Sequence, residues 1–321
     1  MEKKRLLLFG YSDTASPRYW TIRGTMEKEG WDIVECQTQV KGFPRKCIDL
    51  VRKFRGAGQA DAVLVTFPGH YLMPLAWLLT RFPRRTLGFD AFLSLHDSLV
   101  ADRALYAPWN PFAWFLFCMD SLSCHLADEV IVDTEAQRRF FIRRFRLKPR
   151  RVRVVYLETR PDLFAPRDVH VQNDLFEVFF YGTFIPLQGI EHILDAAAIL
   201  GKSHPEIHFT LVGGGQTEPA MRQRATELAL TNVTFRPCVP LTELPDLIHA
   251  SDLCLGIFGT TDKAKRVIPH KVYDAVACGV PVLTARTPAI LEQFHDGESV
   301  ILCEAGNPKD IAGKILLCAQ T

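Results

Sequence analysis

The segment 266–282 combines cations, a carboxylate and a helix start within one short stretch. A helix is predicted to begin after Pro269 and to end at Gly279. Lys271 and Asp274 are three residues apart, so they share one face of the first turns. The free N–H groups of a helix N-terminus attract phosphate, and a nearby lysine adds positive charge. A carboxylate on the same face can hold a ribose diol through two hydrogen bonds. These residues therefore predict a site for a phosphorylated nucleoside.

An acidic side chain in the first half, Asp90, stands in an apolar run near the end of a predicted strand. A buried carboxylate costs free energy unless it is paired. Asp90 is therefore a candidate catalytic residue that contacts a substrate, or else a cap for a neighbouring loop. Arg18 follows the first predicted strand and is a candidate contact for an anion, with a solvated helix start as the alternative.

Short apolar runs alternate with helix-length amphipathic segments along the whole chain, the pattern of parallel β/α units. In the first half, strands are predicted at residues 5–9, 32–36, 62–66, 85–95, 129–133 and 153–156. In the second half, they are predicted at residues 176–181, 207–212, 233–236, 252–257, 280–284 and 300–303. Helices predicted there include residues 271–278 and 288–294.

A stretch at residues 158–167 has two prolines and little periodicity, so it is predicted to link two domains. The fold class is α/β, with two Rossmann-like parallel α/β domains at residues 1–165 and 166–321. Ligands of open α/β sheets bind beyond the carboxyl ends of the strands. We therefore expect these ends of both domains to face one cleft.

Composition excludes several classes of protein. The formal net charge of +2 over 321 residues argues against a dedicated nucleic-acid binder. The nine cysteines are scattered without zinc-site spacing, which predicts reduced thiols in a cytoplasmic compartment and no metal site. No segment reaches the ~18 apolar residues that a membrane-spanning helix needs.

The segment 266–282 resembles the donor-site motif of the retaining glycosyltransferases of family 4, which have the GT-B fold. The resemblance extends over the second half through further short motifs. These are Phe180-Tyr181-Gly182-Thr183, Leu211-Val212-Gly213-Gly214-Gly215, Asn232-Val233-Thr234-Phe235 and Ser251-Asp252-Leu253-Cys254-Leu255. It also includes the linker and residues 127–131 of the first half.

The resemblance implies a role for individual residues of the donor domain. Asp274 would bind the donor ribose, and Gly182 and Thr183 would let their loop approach the donor phosphates. Residues from Arg236 to Val239 would line the base. The helix starting near Gln188 would point its N-terminus at the diphosphate.

Two residues differ from the pattern of the family. Its motif usually has two glutamates eight residues apart, whereas this chain has Arg266 and Asp274. A lysine usually precedes the glycine of the diphosphate helix, whereas this chain has Gln188. Because a charge partner of the diphosphate is missing at position 188, we predict that Arg266 and Lys271 supply the cations from the other wall.

In the first half, the resemblance implies that His96 contacts the donor sugar near the reacting carbon. The pair His96-Asp97 lies where the predicted strand ends. Such a pair can also simply stabilise a turn, and both interpretations stay open here.

A basic and aromatic region covers residues 109–153. Residues 138–153 hold nine Lys or Arg and no acid, with phenylalanines between them, and residues 109–119 add two tryptophans and three phenylalanines. Such stretches can hold a protein on anionic lipid. The alternative is a solvated helix whose phenylalanines pack into the core.

Taken together, these observations predict a glycosyltransferase that moves a sugar from a nucleotide donor to an acceptor with retention of configuration. The resemblance implies a metal-independent reaction with no cofactor, a donor such as a UDP- or GDP-hexose, and a glycan or lipid-linked acceptor in polysaccharide biosynthesis. Peripheral contact with the inner face of a membrane is also expected. Two alternatives stay open: a nucleotide-sugar epimerase, and a non-catalytic partner subunit with a degenerate donor site.

Overall fold

The computed structural model describes residues 4–167 and 175–320. The chain divides into two compact units, Met1–Glu158 and Thr159–Thr321, called unit 1 and unit 2 below. The predicted boundary lay at residues 165/166. The linker residues belong with unit 2 because Thr159 donates a hydrogen bond to Asp274, and His249 Nε2 lies 3.0 Å from the Ala165 carbonyl.

Unit 1 is one parallel six-stranded sheet with helices between successive strands. Its strands are β1 (Arg5–Gly10), β2 (Asp32–Gln37), β3 (Ala62–Val65), β4 (Thr86–Phe92), β5 (Glu129–Val132) and β6 (Val152–Val154). Its helices are α1 (Pro17–Lys28), α2 (Phe43–Gly56), α3 (Met73–Leu79), α4 (Pro111–Leu126) and α5 (Glu135–Phe145). The strand order is β2-β1-β3-β4-β5-β6, and every pairing is parallel.

Helix starts in unit 1 follow ordinary capping chemistry. Ser16, Asn110 and Thr134 each accept a hydrogen bond from a backbone N–H of the first turn of α1, α4 and α5. Both faces of the sheet are buried, because apolar residues alternate toward two different helix layers. Leu7 and Phe9 join the core under α2 to α5, whereas Leu6 and Leu8 join the one under α1.

Unit 2 repeats this architecture. Its strands are β7 (Phe176–Thr183), β8 (Ile207–Gly214), β9 (Val233–Arg236), β10 (Leu253–Leu255), β11 (Val282–Ala285) and β12 (Ile301–Cys303). Its helices are α6 (Ile190–Leu200), α7 (Glu218–Glu227), α8 (Leu244–His249), α9 (His270–Ala277) and α10 (Pro308–Ala319). The order is β12-β11-β10-β7-β8-β9, again parallel throughout.

The core of unit 2 lies around β7 and β8 at the centre of the sheet. Phe180, Phe209 and Leu211 are fully buried there, and α6 and α10 pack beside each other over them. The prediction of two Rossmann-like parallel α/β domains is thus confirmed. The helix predicted at residues 288–294 is wrong. Only a 3₁₀ turn, Ile290–Glu292, forms there.

Within residues 4–167 and 175–320, no helix is long and apolar enough to cross a membrane. The same described residues contain no group of three or more His, Cys, Asp or Glu side chains arranged to hold a metal ion.

Candidate functional site

Glycines at the carboxyl ends of β7 and β8 create an open edge in unit 2. Gly182 pairs with Gly213 and Thr183 with Gly214 in the sheet register. Gly182 has φ +150°, and a Cβ added to it would lie 3.1 Å from Lys271 Nζ. Glycine at 182 therefore leaves room for the lysine to approach the strand backbone.

Lys271 reaches this edge from the first turn of α9, and only 6% of it is exposed. Its Nζ donates to Gln188 Oε1 at 2.7 Å and lies 3.6 Å from the centroid of the Phe180 ring. Burial lowers the pKa of Lys271 well below its usual range. An anion bound here would oppose this shift and favour the charged form of the amine. The structure thus brings Gly182, Gln188 and the Lys271 amine together.

Asp274 lies one turn after Lys271 and is 1% exposed. Its carboxylate accepts hydrogen bonds from Tyr181 Oη at 2.7 Å, from His270 Nδ1 at 2.8 Å and from the Thr159 hydroxyl. Burial and the Asp274 charge raise the pKa of Tyr181 well above its usual range, so this phenol stays a donor. A carboxylate has about four acceptor positions. Asp274 can therefore accept a further hydroxyl, or exchange one partner for it.

The helix after β7 begins two residues later than predicted. A 3₁₀ turn, Pro186–Gln188, precedes α6, and Gly189 between them has φ +67°. A Cβ at Gly189 would lie 2.4 Å from the backbone N of Gly259, so glycine permits the close contact of these two loops. The turn places the Gln188 amide beside Lys271 at the start of α6.

The other predicted donor-site residues lie at separate points of unit 2. Thr183 is exposed at the end of β7, and Arg236 is exposed at the end of β9, with the half-buried Val239 after it. Arg266 is half-buried and ends the 3₁₀ turn Ala264–Arg266 that precedes α9. The roles of these residues in donor binding stay predictions.

Asp90 is held in a buried ion pair within unit 1. Arg18 donates from Nη2 and Nε to Asp90 Oδ1 at 2.6 and 3.0 Å, and its Nη1 donates to the Val155 carbonyl at 2.7 Å. Both side chains are almost completely buried. This pairing favours a structural role over substrate contact for Asp90, and it removes Arg18 as a free anion contact.

His96 lies in the turn after β4, beyond the strand that carries Asp90. Its ring meets the Phe117 ring edge-on, with centroids 5.9 Å apart. Burial, followed by the Arg144 charge, lowers the pKa of His96, and Asp97 opposes this shift. A largely neutral, half-buried imidazole at the end of a strand can accept or donate one hydrogen bond at neutral pH.

Part of the basic and aromatic region packs into the core, and another part is exposed to solvent. Phe141 and Phe145 on α5 are buried in the core of unit 1. In contrast, Trp109 and Trp114 are 82% and 61% exposed, and Phe115 is exposed beside Trp114 on α4. On α4, the half-buried Phe117 ring has its centroid 4.4 Å from the Arg144 guanidinium of α5, so this arginine packs against α4.

Some site residues were not identified from the sequence. Tyr181 and Thr159 reach Asp274 from far along the chain, and no local pattern predicts these contacts. His270 is four residues before Asp274 on the same helix, a spacing from which this contact could have been found.

A family model described as glycosyl transferases group 1 matches residues 165–319. The D-inositol 3-phosphate glycosyltransferase of Thermomonospora curvata is 25% identical over 209 residues, covering 58% of this chain and 47% of the relative. The enzyme of the same name from Acidothermus cellulolyticus is 28% identical over 206 residues, covering 59% and 45%. The chain spans about half the length of the curated relatives it matches.

Solved structures resemble the whole chain. HepE of Anabaena, in complex with UDP and glucose, has a TM-score of 0.68 at 17% identity, covering 99% of this chain and 90% of that one. Sucrose-phosphate synthase from Thermosynechococcus elongatus has a TM-score of 0.70 at 15% identity, with the same coverage. At this identity, the likeness concerns the fold.

Proposed function

Residues 165–319 belong to the glycosyl transferases group 1 family, and from this premise we propose that the chain transfers a sugar from a nucleotide-sugar donor to an acceptor. The donor binds to unit 2, and the acceptor is a glycan or a lipid-linked sugar. The reaction retains the anomeric configuration and uses no metal. Two observations support this proposal. The relatives are named as glycosyltransferases, and the candidate site lies at the carboxyl ends of parallel strands, where ligands of open α/β sheets bind.

The observation that carries the proposal is the buried amine of Lys271 beside Gly182 and Gln188. A desolvated cation at the glycine-lined edge of a parallel sheet is suited to a diphosphate. Lys271, which lies on α9, thereby supplies the positive charge that a lysine at position 188 usually supplies in the family. Arg266, just before α9, adds a second positive charge.

In the proposed reaction, the acceptor hydroxyl bonds to the anomeric carbon while the bond from that carbon to the phosphate oxygen breaks. The hydroxyl proton leaves with the nucleoside diphosphate. Negative charge grows on this leaving group, and fixed cations stabilise it. Asp274 binds the ribose by accepting a hydroxyl in addition to, or in place of, Thr159. His96 contacts the donor sugar, and residues from Arg236 to Val239 line the base.

The first donor to test is UDP-glucose, because HepE was solved with UDP and glucose. Thermal unfolding is measured with UDP, GDP, ADP and TDP and their hexoses. A ligand at 100 times its Kd stabilises the folded state by about 2.7 kcal/mol. We expect one nucleotide to do so, and its hexose to be consumed with release of the nucleoside diphosphate.

Two variants locate the diphosphate. Lys271→Met should weaken nucleotide binding by about 10- to 100-fold, because a charged hydrogen bond is worth about 1.5–3 kcal/mol. Adding Gln188→Lys should restore much of it by returning the cation to position 188. Lys202→Met, which removes a lysine just after the far end of α6, serves as control and should bind normally. Unchanged binding by Lys271→Met would refute the role given to Lys271.

The same measurements separate the alternatives. An epimerase would convert the hexose of the donor without an acceptor and without releasing the nucleoside diphosphate. A partner subunit with a degenerate site would show no shift with any nucleotide, although the wild type is folded. Either result would replace the proposed transferase activity.

We further propose that unit 1 docks peripherally on the cytoplasmic face of an anionic membrane. The exposed aromatic side chains of Trp109 and α4 would enter the interface, and the neighbouring arginines of α5 would meet lipid phosphates. A lipid-linked acceptor would then lie within reach of the same unit. The nine free cysteines suit a reducing compartment.

Sedimentation with vesicles tests this docking. Wild type should bind vesicles of phosphatidylcholine with about 30% phosphatidylglycerol, and bind pure phosphatidylcholine much less, since each arginine near the surface contributes about 1 kcal/mol. Trp114→Ser should reduce binding severalfold. Leu317→Ser is the matched control, because Leu317 in unit 2 is 60% exposed and Trp114 is 61% exposed. Equal losses in both variants, or equal binding to both lipids, would contradict the proposal.

A further inference from the structure

The turn that follows β4 is irregular at its start. The sheet register shifts between Asp90 and Phe92, which marks a β-bulge, and Phe92 has φ +53°. A phenylalanine with positive φ costs free energy unless its surroundings hold it. Bulges bend a strand and redirect the side chains that follow. The backbone thus leaves the sheet at Phe92 in an unusual direction, and His96 comes four residues later.

A single buried carboxylate binds this turn from α4. Asp120 accepts a hydrogen bond from the Ser94 hydroxyl at 2.6 Å, from the Leu95 N–H at 3.0 Å and from the His96 N–H at 3.0 Å. The Ser94 hydroxyl in turn accepts from the Asp97 N–H at 3.0 Å. Three consecutive residues and the start of the next helical turn are therefore tied to one side chain.

A second buried side chain holds the residue before them. His70 Nε2 lies 3.1 Å from the Leu93 carbonyl, and the Ser123 hydroxyl of α4 donates to the His70 carbonyl at 2.9 Å. Asp120 and Ser123 lie one turn apart on α4. This helix thus fixes both the turn and the histidine that supports it.

We propose that Asp120 is a positioning residue, which holds the backbone of residues 94–96 so that the His96 imidazole is presented in one orientation for the sugar transfer proposed above. The role rests on that proposed function, because it concerns the residue assigned to the donor sugar. Asp120 itself, 1% exposed within α4, acts through the turn and does not contact substrate.

The free-energy cost of burying the Asp120 carboxylate indicates that this side chain has a role in positioning the turn. Burial raises the pKa of Asp120 to about 6, and the three hydrogen bonds only partly oppose this shift. An apolar residue in the middle of α4 would avoid the desolvation of a charge. What the carboxylate adds is a set of convergent acceptors for two backbone N–H groups and a hydroxyl, which fix the turn between β4 and the helical segment Asp97–Asp102.

Asp120→Asn tests the proposal, since an amide keeps the shape but has one acceptor oxygen in place of two. Asp128→Asn is the matched control. Asp128 lies two residues after the end of α4 and, like Asp120, accepts from a backbone N–H, that of Leu87 at 3.0 Å, but at the opposite end of β4. The readouts are kcat and KM for the nucleotide-sugar, and the NMR titration of the His96 ring, assigned through His96→Gln.

In Asp120→Asn we expect kcat to fall about 10- to 100-fold, the scale seen when a group supporting a functional side chain is removed, with KM changed less than about threefold. The titration midpoint of His96 should rise toward the ordinary value as the ring becomes more exposed. Asp128→Asn should change neither. If Asp120→Asn does not fold, Ser94→Ala removes one of the three bonds and should shift both readouts in the same direction by less.

Two results would overturn the proposal: an unchanged His96 titration in Asp120→Asn, or a loss of kcat no larger than in Asp128→Asn. The NMR comparison needs no turnover. If no nucleotide-sugar is consumed by the wild type, the proposed transferase fails, whereas the His96 titration still decides whether Asp120 positions that ring.

Discussion

At the scale of single residues, His70 and Asp120 lie 3.5 Å apart in the core of unit 1, and burial shifts their pKa values in opposite directions. Burial lowers the pKa of His70 to about 4 and raises that of Asp120 to about 6. Between these values His70 is protonated in the unfolded chain but not in the folded one, so its contribution to the free energy of unfolding falls as pH falls. Asp120 is protonated in the folded chain but not in the unfolded one, so its contribution to the free energy of unfolding falls as pH rises. The two effects cancel between about pH 4 and 6.

Removing one partner should expose the effect of the other. In Asp120→Asn the free energy of unfolding should rise with pH, relative to wild type, by about 1.4 kcal/mol per unit between pH 4.5 and 5.5. In His70→Gln it should fall by a similar amount. Urea denaturation at several pH values measures these slopes, and other titrating groups contribute equally to all three proteins. Slopes identical to wild type would mean that neither side chain is shifted in the folded state.

At the scale of helices and strands, most elements could be predicted from the sequence, because the residues that define each element are close together in the chain. The helix expected at residues 271–278 is α9, His270–Ala277, because Pro269 and Gly279 mark its ends. The strand expected at residues 176–181 continues to Thr183 as β7, since the glycine at its end is part of the sheet register. Strands and long helices repeat a pattern within a few residues, and such patterns can be read directly.

Contacts between distant elements could not be predicted in this way. The Asp90–Arg18 pair joins residues 72 positions apart, and the bond of Thr159 to Asp274 spans 115 positions. For Asp90 the sequence showed only that a carboxylate in an apolar run needs a partner. Which partner it has depends on how α1 packs against β4. The same holds for Asp120, whose bonds to residues 94–96 exist only once α4 lies against the end of β4.

At the scale of the whole molecule, each unit has its own sheet and its own buried core. The residues proposed to bind the diphosphate and the ribose, Lys271, Gln188 and Asp274, all lie in unit 2 together with their hydrogen-bond partners. Thr159, the first residue of that unit, is one of these partners. Nucleotide binding should therefore be a property of unit 2 by itself.

Two fragments test this independence and the position of the boundary. Residues 159–321 should unfold cooperatively and bind the nucleoside diphosphate with nearly the Kd of the full chain. Residues 166–321 lack Thr159 and the Ala165 carbonyl that meets His249, so their Tm should be about 5 °C lower, the result of losing a hydrogen bond to a charged group. Calorimetry of both fragments, with and without the nucleotide that stabilises the full chain, gives the comparison. If the longer fragment folds but binds at least tenfold more weakly than the full chain, unit 1 contributes directly to nucleotide affinity, and the assignment of the donor site to unit 2 alone is wrong.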